Sequence, residues 1–312
     1  MEAEDWRQEL PADACAMQHT WQYGATISAM ARQVARARIV DNGHTIGLAQ
    51  VVLRRVGRFA TIGLITRGPI WIEPVSAQTK RVALNRLRRD LEGYGARILL
   101  ATPEMQTPGL LPLYTASHLA DLSLEPGVSQ LNKGLHGKWR NALRKGEASG
   151  LQVVATRDPD VLVALIEKET RQQKHKRYRN LPAQFIANWV RLNPQSFRIY
   201  RALMGADPVA EMLFLDHAPG VTYQIGWISP AGRTFAAHNL LMWRAIADFA
   251  QLGRKRMDLG HLDTVNLSGL ARFKLGTGAT LRVLGATGAV MPSWAGRNSP
   301  QLAGKISTGT AL

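Results

Sequence analysis

Residues 235–284 read FAAHNLLMWRAIADFAQLGRKRMDLGHLDTVNLSGLARFKLGTGATLRVL. Leu241, Met242, Ala245, Ile246, Phe249 and Leu252 recur at helical spacing, so one apolar stripe must face a core. Gly253 follows the last of them as a C-terminal stop, because glycine enters the left-handed region without a Cβ clash. Arg254, Lys255 and Arg256 sit where the helix dipole favours cations. A short apolar strand at 257–259 then ends in Gly260. A polar turn leads into Gly269-Leu270-Ala271-Arg272-Phe273-Lys274-Leu275-Gly276, and a last strand covers 281–284.

Working outward, Asp158-Pro159 opens a helix with Leu162, Leu165 and Ile166 on one face. Strands follow at 197–204, 209–216 and 221–228, broken by Gly/Pro turns, before the helix and strand already described. The first half has the same order. Its strands fall at 37–40, 46–56 and 59–65, with Asp41-Asn42-Gly43 as a hairpin turn between the first two. Arg67-Gly68-Pro69-Ile70-Trp71 breaks the pattern. Ser76 caps a helix predicted to run to 94, with Leu84, Leu87 and Leu91 inward, and a strand returns at 97–101 after Gly95. Three strands, a helix and a strand thus occur twice, at roughly 37–101 and 197–260. The fold class expected is α/β (α+β), two tandem units, each a mixed and mostly antiparallel sheet flanked by helices. The domains expected are 1–131, a basic connecting helix at 132–150, 151–287, and a Gly/Ser/Pro-rich tail at 288–312, flexible or packed back. A further helix is predicted from about residue 17 to 36.

The chain of 312 residues, 46% hydrophobic, has enough apolar matter for two modest cores. No apolar run reaches the ~18–20 residues that span a bilayer. The first ten residues, MEAEDWRQEL, are acidic where a signal peptide would be basic and then apolar. Cys15 is the only cysteine, which excludes an intrachain disulfide and a cysteine zinc cage. A cytoplasmic location is the expectation. Lys and Arg number 39 against 23 Asp and Glu, a formal charge of +16. That excess suits a polyanionic partner: nucleic acid, an anionic membrane surface or a phosphorylated substrate. A GC-rich coding sequence would produce the same excess with no ligand at all. The basic residues cluster at 132–150 (Lys138, Arg140, Arg144, Lys145) and at 171–179, where Arg171, Lys174, His175, Lys176, Arg177 and Arg179 surround Tyr178. Each cluster reads either as a phosphate grip or as a solvated surface. H-E-x-x-H, G-x-x-x-x-G-K-[ST] and G-x-S-x-G are all missing, and the eight histidines show no ligand spacing.

The stretch around Gly269–Gly276, coming after a helix that stops at glycine and a strand ending Asp258-Leu259-Gly260, resembles the C-terminal half of the FemAB/FemX aminoacyltransferases. Gln18-x-x-Trp21-x-x-Gly24 is a second point of resemblance. Those proteins are built from two domains of the GNAT acyltransferase type. The resemblance implies transfer of an aminoacyl group from aminoacyl-tRNA to an amine, typically on a peptidoglycan precursor, with no cofactor. It places Phe273 and Lys274 in the donor–acceptor channel, with Arg272 beside them, where the Lys274 cation would stabilise the oxyanion. Asp258 would accept a proton or orient the amine. Arg67 matches a motif of the first domain and has a structural duty there, and the basic segment with Lys138, Arg140 and Arg144 matches the family's domain junction. Lys176, Arg177 and Tyr178 would lie on a loop beside the second cleft. Residues 228–237 hold one glycine, Gly232, where a pyrophosphate-binding loop needs more. This departure speaks against acetyl-CoA as donor. The alternatives are an acyl-CoA-dependent GNAT N-acyltransferase and a catalytically inactive binding protein of the same fold. Peripheral contact with a membrane is compatible with the charge, and neither metal nor membrane-spanning segment is expected.

Overall fold

The Asn42-Gly43 turn shows how closely local chemistry dictates the first sheet. Both residues have positive φ (48° and 84°), and they join two strands whose ends, Asp41 and His44, face each other. In this computed structural model, which describes residues 2–93, 95–176, 180–264, 267–292 and 306–308, the chain forms two units. The first comprises residues 1–117 and 283–312, and the second residues 118–282.

The first unit begins with α1 (Ala3–Glu9) and α2 (Trp21–Ser28) and continues through β1 (Gln33–Asp41), β2 (His44–Val56), β3 (Ala60–Thr66) and β4 (Ile70–Trp71). Then come α3 (Ala77–Arg89), β5 (Ala96–Thr102) and β6 (Leu110–Pro112). Two late strands, β14 (Gly288–Val290) and β15 (Ile306–Thr308), complete a sheet of order β15-β1-β2-β3-β5-β14-β6, with β4 against β2. β1, β2 and β3 form an antiparallel meander. α3, capped by Ser76 Oγ on Thr79 N, crosses over so that β5 runs parallel to β3. That parallel ladder closes over its whole length, from Ala60 opposite Ala96 to Thr66 opposite Thr102. Leu84, Leu87 and Leu91 bury against Ala35, Val51, Leu53 and Leu99. Two predicted helix ends are corrected. α2 stops at Ser28, Ala31 takes φ +57°, and residues from Gln33 on pair with β2, so the ladder overrides helical continuation to residue 36. α3 stops at Arg89 rather than 94, because Gly93 and Gly95, both at positive φ, fold the chain against Thr61 and Phe59.

The second unit begins earlier than the expected linker. It contains β7 (His118–Ser123), α4 (Gly127–Gly134), α5 (Gly137–Glu147) and β8 (Gln152–Thr156), followed by α6 (Pro159–Lys176) and α7 (Ala183–Leu192). Then come β9 (Phe197–Met204), β10 (Asp207–Asp216), β11 (Gly220–Ile228), α8 (Pro230–Thr234), α9 (Ala237–Gln251), β12 (Arg256–His261), α10 (Ser268–Leu275) and β13 (Thr280–Val283). The sheet order is β13-β7-β12-β11-β10-β9-β8. The division at 117/118, not at 131 and 150, has a plain cause. β7 pairs with β12, and Leu131 of α4, Leu135 of the turn after it, and Trp139 and Leu143 of α5 join the second core, so 132–150 is no free linker. α9 anchors that core with Leu241, Met242, Ala245, Ile246 and Phe249, each 0% exposed. Full burial of side chains such as Leu, Ile, Met or Phe contributes ~1.5–3 kcal/mol apiece, so this one helix decides the packing. Both units therefore repeat the meander, crossover helix and parallel strand, as the sequence order predicts. No described helix is long and apolar enough to cross a membrane.

Candidate active site

The two parallel ladders differ at one place. In the second unit β11 and β12 pair only at Gly220/Arg256, Val221/Met257 and Thr222/Asp258. Beyond Thr222 the strands part. Two local features account for this. The β10–β11 register shifts between Leu213 and Phe214, so Gln224 is an extra residue in β11, and a bulge of this kind bends its strand. On β12, Asp258 Oδ1 accepts the Gly260 N–H at 2.7 Å and Gly260 turns to φ +81°, which ends extended backbone.

Lys274 lies at this parting. It sits on α10, not in a surface turn, and is 5% exposed. Its Nζ donates to the His261 carbonyl at 2.8 Å and would be 3.6 Å from a Cβ on Gly260. Burial pushes its pKa from 10.5 down to about 8, against the raising effect of the Asp258 charge. At neutral pH it is a desolvated cation that gives up its proton readily. Asp258 and Lys274, on the consecutive elements β12 and α10, thus come close enough for their charges to interact.

The remaining expected residues divide sharply. Phe273 is a packing residue: its ring lies 6.1 Å from Trp139 and 6.0 Å from His238, and its carbonyl accepts Trp139 Nε1–H at 3.0 Å. Arg272, Lys138 and Arg144 point to solvent. Arg140 is a correction to the phosphate-grip reading, because its Nη2 donates to the Lys133 and Leu135 carbonyls (2.8 and 2.9 Å) and closes the end of α4. Arg67 belongs to the first unit, where it is 6% exposed with φ +62°. Its guanidinium pairs with Glu104, and its carbonyl lies 2.5 Å from His19 Nε2. Arg177, Tyr178 and Arg179 lie outside the described residues, as does the side chain of Lys176.

Sequence reading missed three side chains. Tyr223 precedes the bulge, packs its ring 5.4 Å from Phe214, and lays its hydroxyl over Gly226, where a Cβ would stand 1.9 Å away. His238, near the start of α9, sits over the same glycine and has Nε2 3.0 Å from the Trp227 carbonyl. Trp139 holds α10 through Phe273 and fills the space at Gly276, whose Cβ would come within 2.5 Å of its ring. A glycine inside a strand marks close approach, so Gly226 carried the signal for the first two. Gly232, the single glycine of 228–237, is taken up in packing: a Cβ there would lie 2.3 Å from the Val209 carbonyl. Ser229 Oγ caps α8 on Gly232 N at 3.0 Å, and α9 starts after Ala236, at φ +52°, without a side-chain cap. Among the described residues no group of three or more His, Cys, Asp or Glu could hold a metal.

A strand pair that parts, with a helix following it, is the hallmark of one acyltransferase fold. Residues 135–275 match the family described as acetyltransferase (GNAT) domain. Among solved structures, FemX superposes with a TM-score of 0.78 at 11% identity, covering 94% of this chain and 96% of its own. The C-terminal domain of a putative lysylphosphatidylglycerol synthetase from Agrobacterium fabrum has a TM-score of 0.54 at 13% identity, covering 94% and 92%. A conserved protein of unknown function from Bacteroides thetaiotaomicron has a TM-score of 0.51 at 10% identity, covering 82% and 86%. A comparison with curated proteins finds no match. The chain has the tandem GNAT architecture seen in FemX, and its second unit carries an acyltransferase domain.

Proposed function

We propose that the protein transfers an aminoacyl group from aminoacyl-tRNA to an amine, of the kind carried by a phosphorylated peptidoglycan precursor. The observation that carries the reading is the buried Lys274 ammonium where β11 and β12 part. The acceptor amine attacks the ester carbonyl, a C–N bond forms, and negative charge develops on the carbonyl oxygen. Lys274 stabilises that charge, and its desolvation makes the contact stronger than it would be in water. The intermediate collapses with cleavage of the ester C–O bond, and the proton released by the amine passes to the leaving ribose oxygen, with Asp258 as relay. A charged-tRNA donor puts the reaction in the cytoplasm. The exposed Lys138, Arg144 and Lys145 of α5 suit its phosphates.

Acyl-CoA is the second reading, favoured by the match to an acetyltransferase domain. The use of Gly232 in packing speaks against it, since a pyrophosphate needs backbone free of side chains to approach. Filter binding of tRNA across a salt series, alongside calorimetry with acetyl-CoA, separates the two. The tRNA reading expects log K to fall with log salt by about 0.7–0.9 per phosphate contact, with a shallower slope for a Lys138→Glu/Arg144→Glu protein. Tight acetyl-CoA binding with salt-indifferent tRNA binding would reverse the assignment.

A further inference from the structure

Two arginines among the described residues are more than nine-tenths buried, and they are treated differently. Arg67 meets Glu104. Arg36, on β1 of the first unit and 7% exposed, meets only neutral groups. Its Nε donates to Gln50 Oε1 at 2.8 Å and its Nη2 to the Trp21 carbonyl at 3.3 Å, while its Cζ lies 3.6 Å from the centre of the Trp21 ring. Gln50 is itself oriented, because its Nε2 donates to the Gln18 and Thr20 carbonyls, both at 3.2 Å. Nη1 has no partner among the described residues and is not sealed from solvent.

These contacts absorb the Gln18-x-x-Trp21-x-x-Gly24 motif that the active site does not use. Gln18 and Thr20 lend carbonyls to Gln50, and Trp21 lends a carbonyl and a ring face to Arg36. Gly24 keeps the way clear: a Cβ there would lie 2.2 Å from Arg36 Nη2 and 2.2 Å from Gln50 Oε1. Glycine is a poor helix former, yet it stands inside α2, and the clearance explains why. A buried cation with no countercharge is costly to keep, and burial holds this guanidinium at about 10, still charged at neutral pH. A stacked guanidinium with a free edge is a fork suited to an oxyanion.

We propose that Arg36, held by Gln50, Trp21 and the gap at Gly24, is an oxyanion-binding site of the first unit, for a phosphate or carboxylate of a ligand. Its test reads binding alone. Calorimetry on the full chain uses inorganic phosphate as one probe and acetate as the other, at near-physiological salt. Saturable binding of either is expected, and the better probe tells phosphate from carboxylate. Arg36→Met should weaken it roughly 10- to 100-fold, as charge-assisted hydrogen bonds do. Should Arg36→Met not fold, Arg36→Lys replaces it: an ammonium keeps the charge without the fork, and weaker binding is expected again. Binding unchanged by either substitution, or no saturable binding of either probe to the wild type, overturns the proposal.

Discussion

Replacing Lys274 by methionine should make the protein more stable, not less, and by an amount that depends on pH. The ammonium is nearly out of water, and its pKa of about 8 against the ordinary 10.5 measures what burial costs. That difference corresponds to about 3 kcal/mol against the charged form. Below pH 8 both folded and unfolded chains carry the proton, so the full cost is present. Between about 8 and 10.5 the unfolded chain still holds a proton that the folded chain has released, so wild-type stability rises with pH across that window. Methionine removes the cost but leaves the His261 carbonyl without its donor, a loss of about 1 kcal/mol. The variant should therefore be about 2 kcal/mol more stable at pH 7, or ~4–8 °C in Tm for a unit of this size. It should become about 1 kcal/mol less stable than wild type by pH 10.5. Urea titrations of both proteins from pH 6 to 10.5 measure the difference directly. A difference that does not change with pH, or a variant less stable at pH 7, refutes the picture of a strained buried cation. The same substitution should lower the single-turnover transfer rate by about 10²–10³, so the site would be destabilising and functional at once.

Two further substitutions test the supports. Gly276→Ala would push a methyl group within 2.5 Å of the Trp139 ring and 2.9 Å of the Arg272 carbonyl, and should cost ~1–3 kcal/mol in a thermal melt. Glu104→Ala would leave Arg67 buried without its acid, and should lower the urea midpoint by the equivalent of ~3–5 kcal/mol at an unchanged slope.

The fold was legible because its two periodicities are clean. The stripe from Leu241 to Phe249 reads as a helix with one buried face, the run at 46–56 is rich in β-branched residues, and the short apolar run at 209–216 is bounded by Pro208 and by Ala218-Pro219-Gly220, so both runs read as strands. Helix ends were less so, since residues 29–36 continue a plausible helix until β2 offers a ladder partner, which no local pattern announces. The 269–276 segment did not read as a helix because glycines stand near both of its ends, yet tertiary packing on Trp139 makes it α10. Lys274 and Asp258 stand out in the sequence because they occupy ends of elements in a recognisable order. Tyr223, His238 and Trp139 were not, because their positions follow from a bulge and a crossover rather than from spacing along the chain. Charge misled where geometry intervened: Arg140 sits in the same run as Lys138 and Arg144, but its fork is consumed by two carbonyls.

Why one sheet opens and its counterpart stays closed can still be traced to particular residues. The first unit's returning strand reads Ala96-Arg97-Ile98-Leu99-Leu100-Ala101-Thr102, with no residue that competes for the ladder, and all seven positions pair with β3. The second unit's returning strand reads Arg256-Met257-Asp258-Leu259-Gly260-His261. Its aspartate accepts the N–H two residues ahead, an interaction that lets Asp turn the chain out of a strand, and its glycine supplies the positive φ that the turn needs. The pairing stops at Asp258, and the His261 carbonyl, freed from β11, accepts the Lys274 ammonium instead. Asp-x-Gly at the end of a parallel strand therefore does two things in this chain. It parts the strands, and it turns the carbonyl that holds the buried cation into the opening.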